Sequence, residues 1–374
     1  MVLEDIGMKR DFSDSKRVVI KVGTNLLSTN DGVDMQFMEK IVHEIQMLRN
    51  MGYKPLLVSS GAIGMGAKEL GISQPAKNII KRQAYASIGQ PLLMHKYRLL
   101  FSSYGIIVSQ ILLTRNVLNN RKSFLNLKNS VEDLLAMGVV PIFNENDSIS
   151  TDEIGTAFGD NDSLSALIAS KIDADLLIIL TDIDGLYTGN PKKDPKAQLM
   201  HYIEKVDEHI ISWASGAGSS FATGGMRTKL TAVQIASQAG CGSVIAKGTE
   251  PNILKRILEG EDIGTYFQYA QRKSQRERWI LQSTTTGRIL VDDGALEALK
   301  RHKSLLPSGI KGVEGVFDRD TVVMINDCAK VVPSFNSSEI ENLIGMHSSD
   351  IRDKIGNGRR DVIARPEDIV FLED

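Results

Sequence analysis

The chain has 374 residues, 42% of them hydrophobic and 24% charged, with a formal net charge of −2, an ordinary balance for a globular protein with two or three domains. So small a net charge excludes a global field for nucleic acid or anionic membrane. No apolar run reaches the length of a membrane span, and the opening MVLEDIGMKRDFSDSK lacks the apolar segment of a secretion signal. Cys241 and Cys328 lie far apart in apolar segments and read as free thiols. A cytoplasmic protein is the expectation.

In chain order, residues 1–16 are expected to form a mobile arm. Arg17–Asn25 reads as a β-branched strand running into a Gly-Thr turn. Phe37, Ile41, Ile45 and Leu48 recur at helical spacing, and Gly52 stops that helix. Pro55–Val58 is the next strand and leads into Ser59-Ser60-Gly61-Ala62. A long helix over 77–101 precedes a strand over 106–113, and another helix lies near 120–137. The apolar run Gly138–Phe143 then opens onto Asn144-Glu145-Asn146-Asp147. Further on, Gly159-Asp160-Asn161-Asp162 starts a helix carrying Leu164, Leu167 and Ile168. Asp175–Asp182 is a strand apolar on both faces. A turn-rich segment, helices over 207–214 and 227–239, and a strand over 242–246 complete this half.

Strands alternating with helices, several without a polar face, predict an α/β fold with a mostly parallel open sheet sandwiched by helices. Near residue 267 the composition shifts. Residues 268–286 begin with the polar run QYAQRKSQRER, read as a linker. Residues 287–365 carry short strand signals broken by turns and read as a small, mainly β domain, with 366–374 as a tail.

The chemistry collects at strand ends: Lys21-Val22-Gly23, Ser59-Ser60-Gly61, Asn144 to Asp147, and Thr181-Asp182. In open α/β sheets, ligands bind beyond the carboxyl ends of the strands. Seven Asp, Asn and Glu side chains gather at the two ends of one connection. Any one of them could cap a helix; burying all seven without a cation or polar ligand would cost several kcal/mol on a rough scale. No GxxxxGK[ST] and no protein-kinase loop signature occurs, and no Cys/His cluster has metal spacing, so no protein metal site is expected. What remains is a set of short glycine turns, at Gly23-Thr24, Ser60-Gly61-Ala62 and Thr223-Gly224-Gly225-Met226, where backbone N–H groups can face an anion. Lys21 ends an apolar strand, and Lys229 sits on the first turn of a helix, where the macrodipole disfavours a cation. A surface lysine that snorkels would account for either alone. Together they suit phosphoryl transfer, which needs cations around the migrating group more than it needs a base. A carboxylate acceptor is already ionised at neutral pH.

The ordered motifs VVIKVGTNLL, VSSGAIG, LLTRNVLNNRKSFLN, PIFNEND, GDNDSLSAL, LLIILTDIDGLYTGNP and FATGGMRTKLTAV resemble the glutamate 5-kinase branch of the amino-acid kinase family, over residues 17–267. VDDGALEAL, SLLPSGIKGVEGVF and FNSSEIENLIG resemble the PUA domain attached to many of its bacterial members. The resemblance implies transfer of the ATP γ-phosphoryl to the side-chain carboxylate of L-glutamate, the first step of proline biosynthesis, with Mg²⁺ accompanying ATP and proline as feedback inhibitor. It implies that Lys21 and Lys229 flank the migrating group, that Asp160 holds them in register, and that Ser60, Asp147 and Asn161 bind glutamate, the acid taking the ammonium. Lys21, Gly23, Thr181, Asp182 and the run Thr223, Gly224, Gly225, Met226, Arg227, Thr228 and Lys229 would line the nucleotide site. A homo-oligomer, dimer or tetramer, and a downstream glutamyl-phosphate reductase are the implied partners.

Arg227 occupies a variable position of its motif. Asp320 stands where the family often has glycine, and Asp tolerates left-handed backbone better than most residues. The alternatives are another carboxylate kinase of the same fold, or an RNA-binding protein acting through the PUA-like part. Residues 287–374 carry 12 Lys and Arg against 16 Asp and Glu, a net of −4, which disfavours an RNA partner.

Overall fold

A computed structural model describes residues 10–29, 32–72, 78–149, 161–191, 193–214, 225–346 and 362–372. Two compact units emerge: Met1–Val117 with Leu125–Arg272, and Leu118–Phe124 with Lys273–Asp374.

The strands of the first unit are β1 (Arg17–Val22), a two-residue hairpin of β2 (Ser28–Thr29) and β3 (Gly32–Val33), β4 (Lys54–Val58), β5 (Val108–Leu113), β6 (Val140–Glu145), β7 (Leu176–Thr181), β8 (Tyr202–Ile203), β9 (Gly242–Lys247) and β10 (Thr265–Phe267). Eight of them form one sheet in the order β5-β6-β4-β1-β7-β9-β10-β8. Neighbours from β5 to β9 run parallel, and β10 turns antiparallel to β9. Every residue of β6 and β7 is buried, as is all of β1 after Arg17, the pattern of a parallel sheet covered on both faces. The α/β sheet expected from the sequence is therefore present. Register aligns the strand ends: Lys21 pairs with Val58, Val58 with Phe143, and Val22 with Leu180. The carboxyl ends of β1, β4, β6 and β7 consequently reach one level, and their polar residues share one edge.

The covering helices arise from local sequence. In the helix Met35–Asn50, the Asp34 side chain accepts from Phe37 N at 2.9 Å, while Phe37, Met38, Ile41, Val42, Ile45 and Leu48 bury one stripe. Burying each such side chain is worth roughly 1.5–3 kcal/mol. Gly52, at φ +90°, ends the turn after this helix. Helices Ala62–Glu69 and Ile79–Ser102 cross at glycine contacts: a Cβ on Gly66 would stand 1.8 Å from the Tyr85 carbonyl oxygen, and one on Gly89 1.8 Å from that of Ala62. This crossing brings Gln90 to the end of β6.

The segment expected to be a mobile arm is corrected for residues 10–16; residues 1–9 lie outside the described residues. Arg10 is buried and donates to the carbonyls of His201 (2.7 Å) and Ile263 (2.6 Å), beside Asp262 at 2.7 Å. Phe12 is buried edge-on against Tyr266, ring centroids 5.3 Å apart.

The second unit contains β11 (Arg288–Val291), β12 (Ile310–Glu314), β13 (Val323–Ile325), β14 (Ala329–Val331) and β15 (Ile369–Phe371), in the order β12-β11-β13-β14-β15. The expected linker and tail are both corrected. Within 268–286, Gln275–Gln282 is a helix with a full capping box, Ser274 and Glu277 bonding each other's backbone N–H. Its Trp279 and Ile280 pack with Val322, Val332 and Val370. Lys330 donates to the carbonyls of Leu281 and Ser283 at that helix's end, at 2.6 and 2.7 Å. The tail supplies an edge strand, β15, paired antiparallel to β14. Asp320 takes φ +58°, the left-handed geometry anticipated for it.

Candidate active site

Lys21 is fully buried near the end of β1, and its Nζ lies 2.9 Å from Oδ1 of Asp162, itself fully buried. Lys229 Nζ reaches the other oxygen, Oδ2, at 3.1 Å, and the Thr228 hydroxyl lies 2.8 Å from that same Oδ2. One carboxylate thus contacts two ammonium groups at a point almost closed to solvent. A buried charge persists only when it is paired. Asp162 is the first residue of the helix Asp162–Lys171, where the macrodipole favours an anion. Lys229 stands in the first turn of Met226–Ser237, where the same effect opposes a cation, and Asp162 offsets it. Asp162 is the carboxylate seen between the two lysines; Asp160, expected to hold them in register, lies outside the described residues.

Asn161 explains why the neighbouring residue faces inward. It adopts φ +59°, ψ 8°, a left-handed turn that Asn tolerates, immediately before the helix. Its side-chain Nδ2 donates to the Ser59 carbonyl at 2.7 Å and to Asn144 Oδ1 at 2.8 Å, with Ser60 Oγ at 3.2 Å. Ser60 and Asn161, both expected at the substrate site, are therefore in contact. Ser59 Oγ lies 2.9 Å from the hydroxyl of Tyr97, a fully buried ring. Gly61 comes next at φ +99°, a conformation that a residue with a Cβ would adopt only under strain.

Asp147 lines a cavity with Gln90, Gln110, Glu145, Asn146 and Ser148. Burial pushes its carboxyl up to about 6, and the positive charge of Arg82 only partly opposes this. Sequence reading missed Gln90, whose Oε1 accepts from Asn144 Nδ2 at 2.8 Å. The only signal was its place beside Gly89 and Pro91 in a long helix.

On the other side, the Thr181 hydroxyl donates to Asp182 Oδ1 at 3.0 Å, and Asn25 Nδ2 reaches Oδ2 at 3.3 Å. The N–H of Gly23 donates to the Leu180 carbonyl at 3.2 Å. Gly23 thus shapes the turn after β1 rather than offering its own amide to an anion. Gly225 precedes the helix that carries Met226, Arg227, Thr228 and Lys229; Thr223 and Gly224 lie outside the described residues. Among the described residues, no group of three or more His, Cys, Asp or Glu side chains could hold a metal ion, and no helix is long and apolar enough to cross a membrane. Both cysteines are thiols outside any disulfide, Cys241 buried and Cys328 half-buried.

Residues 16–247 match the model of the amino acid kinase family, and residues 287–355 that of the PUA domain. The chain is 43% identical to glutamate 5-kinase of Methanosarcina mazei, covering 97% of this chain and 98% of that protein. It is 42% identical to glutamate 5-kinase of Syntrophotalea carbinolica, covering 97% and 99%. Among solved structures, UMP kinase from Bacillus anthracis aligns with a TM-score of 0.47 and 18% identity, over 69% of this chain and 97% of that one. The chain belongs to the amino acid kinase family. It is a kinase that carries a PUA domain after its catalytic sheet.

Proposed function

We propose that the protein transfers the γ-phosphoryl group of ATP to the side-chain carboxylate of L-glutamate, giving L-glutamyl 5-phosphate and ADP. The observation that carries this reading is the pair of buried ammonium groups on one carboxylate, in a chain 42–43% identical to glutamate 5-kinases over nearly its full length. In the reaction, an oxygen of the glutamate carboxylate bonds to Pγ as the bond from Pγ to the ADP oxygen breaks. The acceptor is ionised at neutral pH, so no proton has to be removed. Lys21 and Lys229 neutralise charge as it spreads over the migrating oxygens, and Asp162 keeps their spacing before substrate arrives. Mg²⁺ would accompany ATP, held largely by phosphate oxygens and water.

In the same reading, Ser60, Asn161 and Asp147 bind glutamate, with the ionised Asp147 facing the substrate ammonium. Thr181, Asp182 and the segment from Thr223 to Lys229, together with the turn at Gly23, border the nucleotide. Proline acts as feedback inhibitor of this first step of its own synthesis, and a glutamyl-phosphate reductase consumes the product in the cytoplasm.

The test is ADP release with glutamate, acetylglutamate, aspartate, carbamate and UMP as acceptors, with hydroxylamine present to trap acyl phosphate. Hydroxamate from glutamate, in preference to the others, is the expected result. Turnover with UMP or acetylglutamate and none with glutamate would overturn the proposal.

A further inference from the structure

Three side-chain amides behind the candidate substrate site form a relay with a single polarity. Asn161 Nδ2 donates to Asn144 Oδ1 at 2.8 Å, and Asn144 Nδ2 donates to Gln90 Oε1 at 2.8 Å. Backbone groups set the direction at two points. The Ser59 carbonyl can only accept, so the Asn161 amide must turn its nitrogen there (2.7 Å). The Glu145 N–H can only donate, so Asn144 must turn its oxygen there (2.9 Å). All three side chains are buried, each no more than 8% exposed, so a reversed amide would find no water to repair its contacts. With the Asn144 oxygen fixed by Glu145 and Asn161, its NH₂ needs an acceptor, and Gln90 supplies one. The Gly89 contact with the Ala62 carbonyl holds Gln90 at that place.

We propose that Gln90 is a positioning residue for the phosphoryl-transfer reaction: its carbonyl satisfies the Asn144 NH₂, whose direction the Glu145 N–H sets, and so keeps Asn144 in place against Asn161. The inference rests on the reading of Asn161 as a glutamate-binding residue. With the Asn161 nitrogen tied to Ser59 and Asn144, the Oδ1 of Asn161 is the atom left for substrate, and for a substrate ammonium an oxygen is the right atom. Loss of the Gln90 carbonyl leaves the Asn144 NH₂ buried without its acceptor. The Glu145 N–H still holds the Asn144 oxygen, so Asn144 tilts toward another acceptor rather than flipping and weakens its bond to Asn161. Asn161, still turned by the Ser59 carbonyl, is then held less tightly while the lysine–Asp162 arrangement stays in place.

The test compares Gln90→Leu, Gln90→Glu and the pair Gln90→Leu with Asn144→Asp. Gln90→Leu should raise the glutamate KM about tenfold or more, with kcat and the ATP KM within about twofold, since one such hydrogen bond corresponds to roughly a factor of ten. Gln90→Glu keeps an acceptor and should recover most of that loss. An Asp at 144 has no NH₂ to offer the Gln90 carbonyl, so adding Gln90→Leu to Asn144→Asp should change the glutamate KM by less than about twofold. Equal penalties from Gln90→Leu in both backgrounds, or a fall in kcat alone, would overturn the proposal. Selective ¹⁵N-asparagine labelling gives a readout independent of turnover. The side-chain amide resonances of Asn144 and Asn161 should shift or broaden in Gln90→Leu and return in Gln90→Glu. Unchanged resonances refute the relay even if glutamate turnover is confirmed; shifted resonances in an enzyme inactive on glutamate retain the relay and refute the substrate.

Discussion

Lys21 and Asp162 meet at 2.9 Å with both side chains fully buried, one near the end of a central strand and the other at the first position of a helix. The pair is costly to desolvate, and by itself it is weak evidence for stability. In the proposed reaction it holds a cation where the phosphoryl group moves, with Lys229 on the second oxygen of the same carboxylate.

Asp162→Asn should therefore damage both stability and turnover. It leaves two buried ammonium groups sharing a neutral amide, and breaking such an arrangement typically costs about 3–5 kcal/mol. Thermal unfolding with and without ATP, alongside steady-state kinetics, measures both effects. The parallel change Asp160→Asn separates the two assignments: a greater loss there than at Asp162 would return the role to Asp160.

Lys229→Ala should lower kcat by roughly 10²–10³, the range for removing one preorganised charge-stabilising group, about 3–4 kcal/mol. The glutamate KM should change little, because Lys229 contacts Oδ2 of Asp162, the oxygen that Thr228 also touches, and does not line the Asp147 cavity. Near-normal turnover in this variant would remove Lys229 from the mechanism.

With Asp147 facing the substrate ammonium as proposed, its carboxyl, raised by burial to about 6, should make glutamate use depend on pH. It attracts an ammonium group only when ionised, above that value. Below about pH 6, kcat/KM for glutamate should fall about tenfold per pH unit, while kcat/KM for ATP at saturating glutamate stays flat. Asp147→Asn should raise the glutamate KM and remove this inflection. A profile that keeps its inflection in that variant assigns it to another group.

Gly89→Ala tests the helix crossing. The added methyl would stand 1.8 Å from the Ala62 carbonyl oxygen, a backbone atom that cannot rotate away. Overpacking of this kind costs typically 1–3 kcal/mol or more, enough to lower Tm by several degrees. Because Gln90 is the next residue, the glutamate KM should rise as well. A change in Tm without a change in KM would mean that the crossing supports the fold but not the site.

Arg10→Ala should destabilise the first unit by about 1–3 kcal/mol, since the carbonyls of His201 and Ile263 lose a buried donor. Chemical denaturation monitored by far-UV signal measures it. An unchanged midpoint would show that water replaces the guanidinium there.

Much of this was legible in the sequence because parallel strands buried on both faces leave continuous apolar runs, as at Leu176–Leu180, and lysines that oppose their local field stand out. The place of Asp162 between the lysines was not legible. It turns on where the helix begins, and the left-handed backbone of Asn161 sets that phase without any compositional trace. Arg10 and Phe12 were equally silent. They are two isolated residues with no periodicity, and their partners lie roughly 190–250 positions away along the chain. The helix Gln275–Gln282 looked like a linker because it opens on the polar run Gln275-Arg276-Glu277-Arg278; only Arg278, Trp279 and Ile280 turn inward.

The second unit is not one continuous piece of chain. It takes in Leu118–Phe124, where the Asn119 carbonyl accepts the indole N–H of Trp279 at 2.8 Å and the Asn119 amide donates to the Thr284 hydroxyl at 2.6 Å. A single scissor point near residue 273 consequently severs the module from seven of its own residues. Moving residues 273–374 to another protein would strand the indole of Trp279 without its acceptor, and a stop codon at that junction would leave Leu118–Phe124 without the rest of its unit.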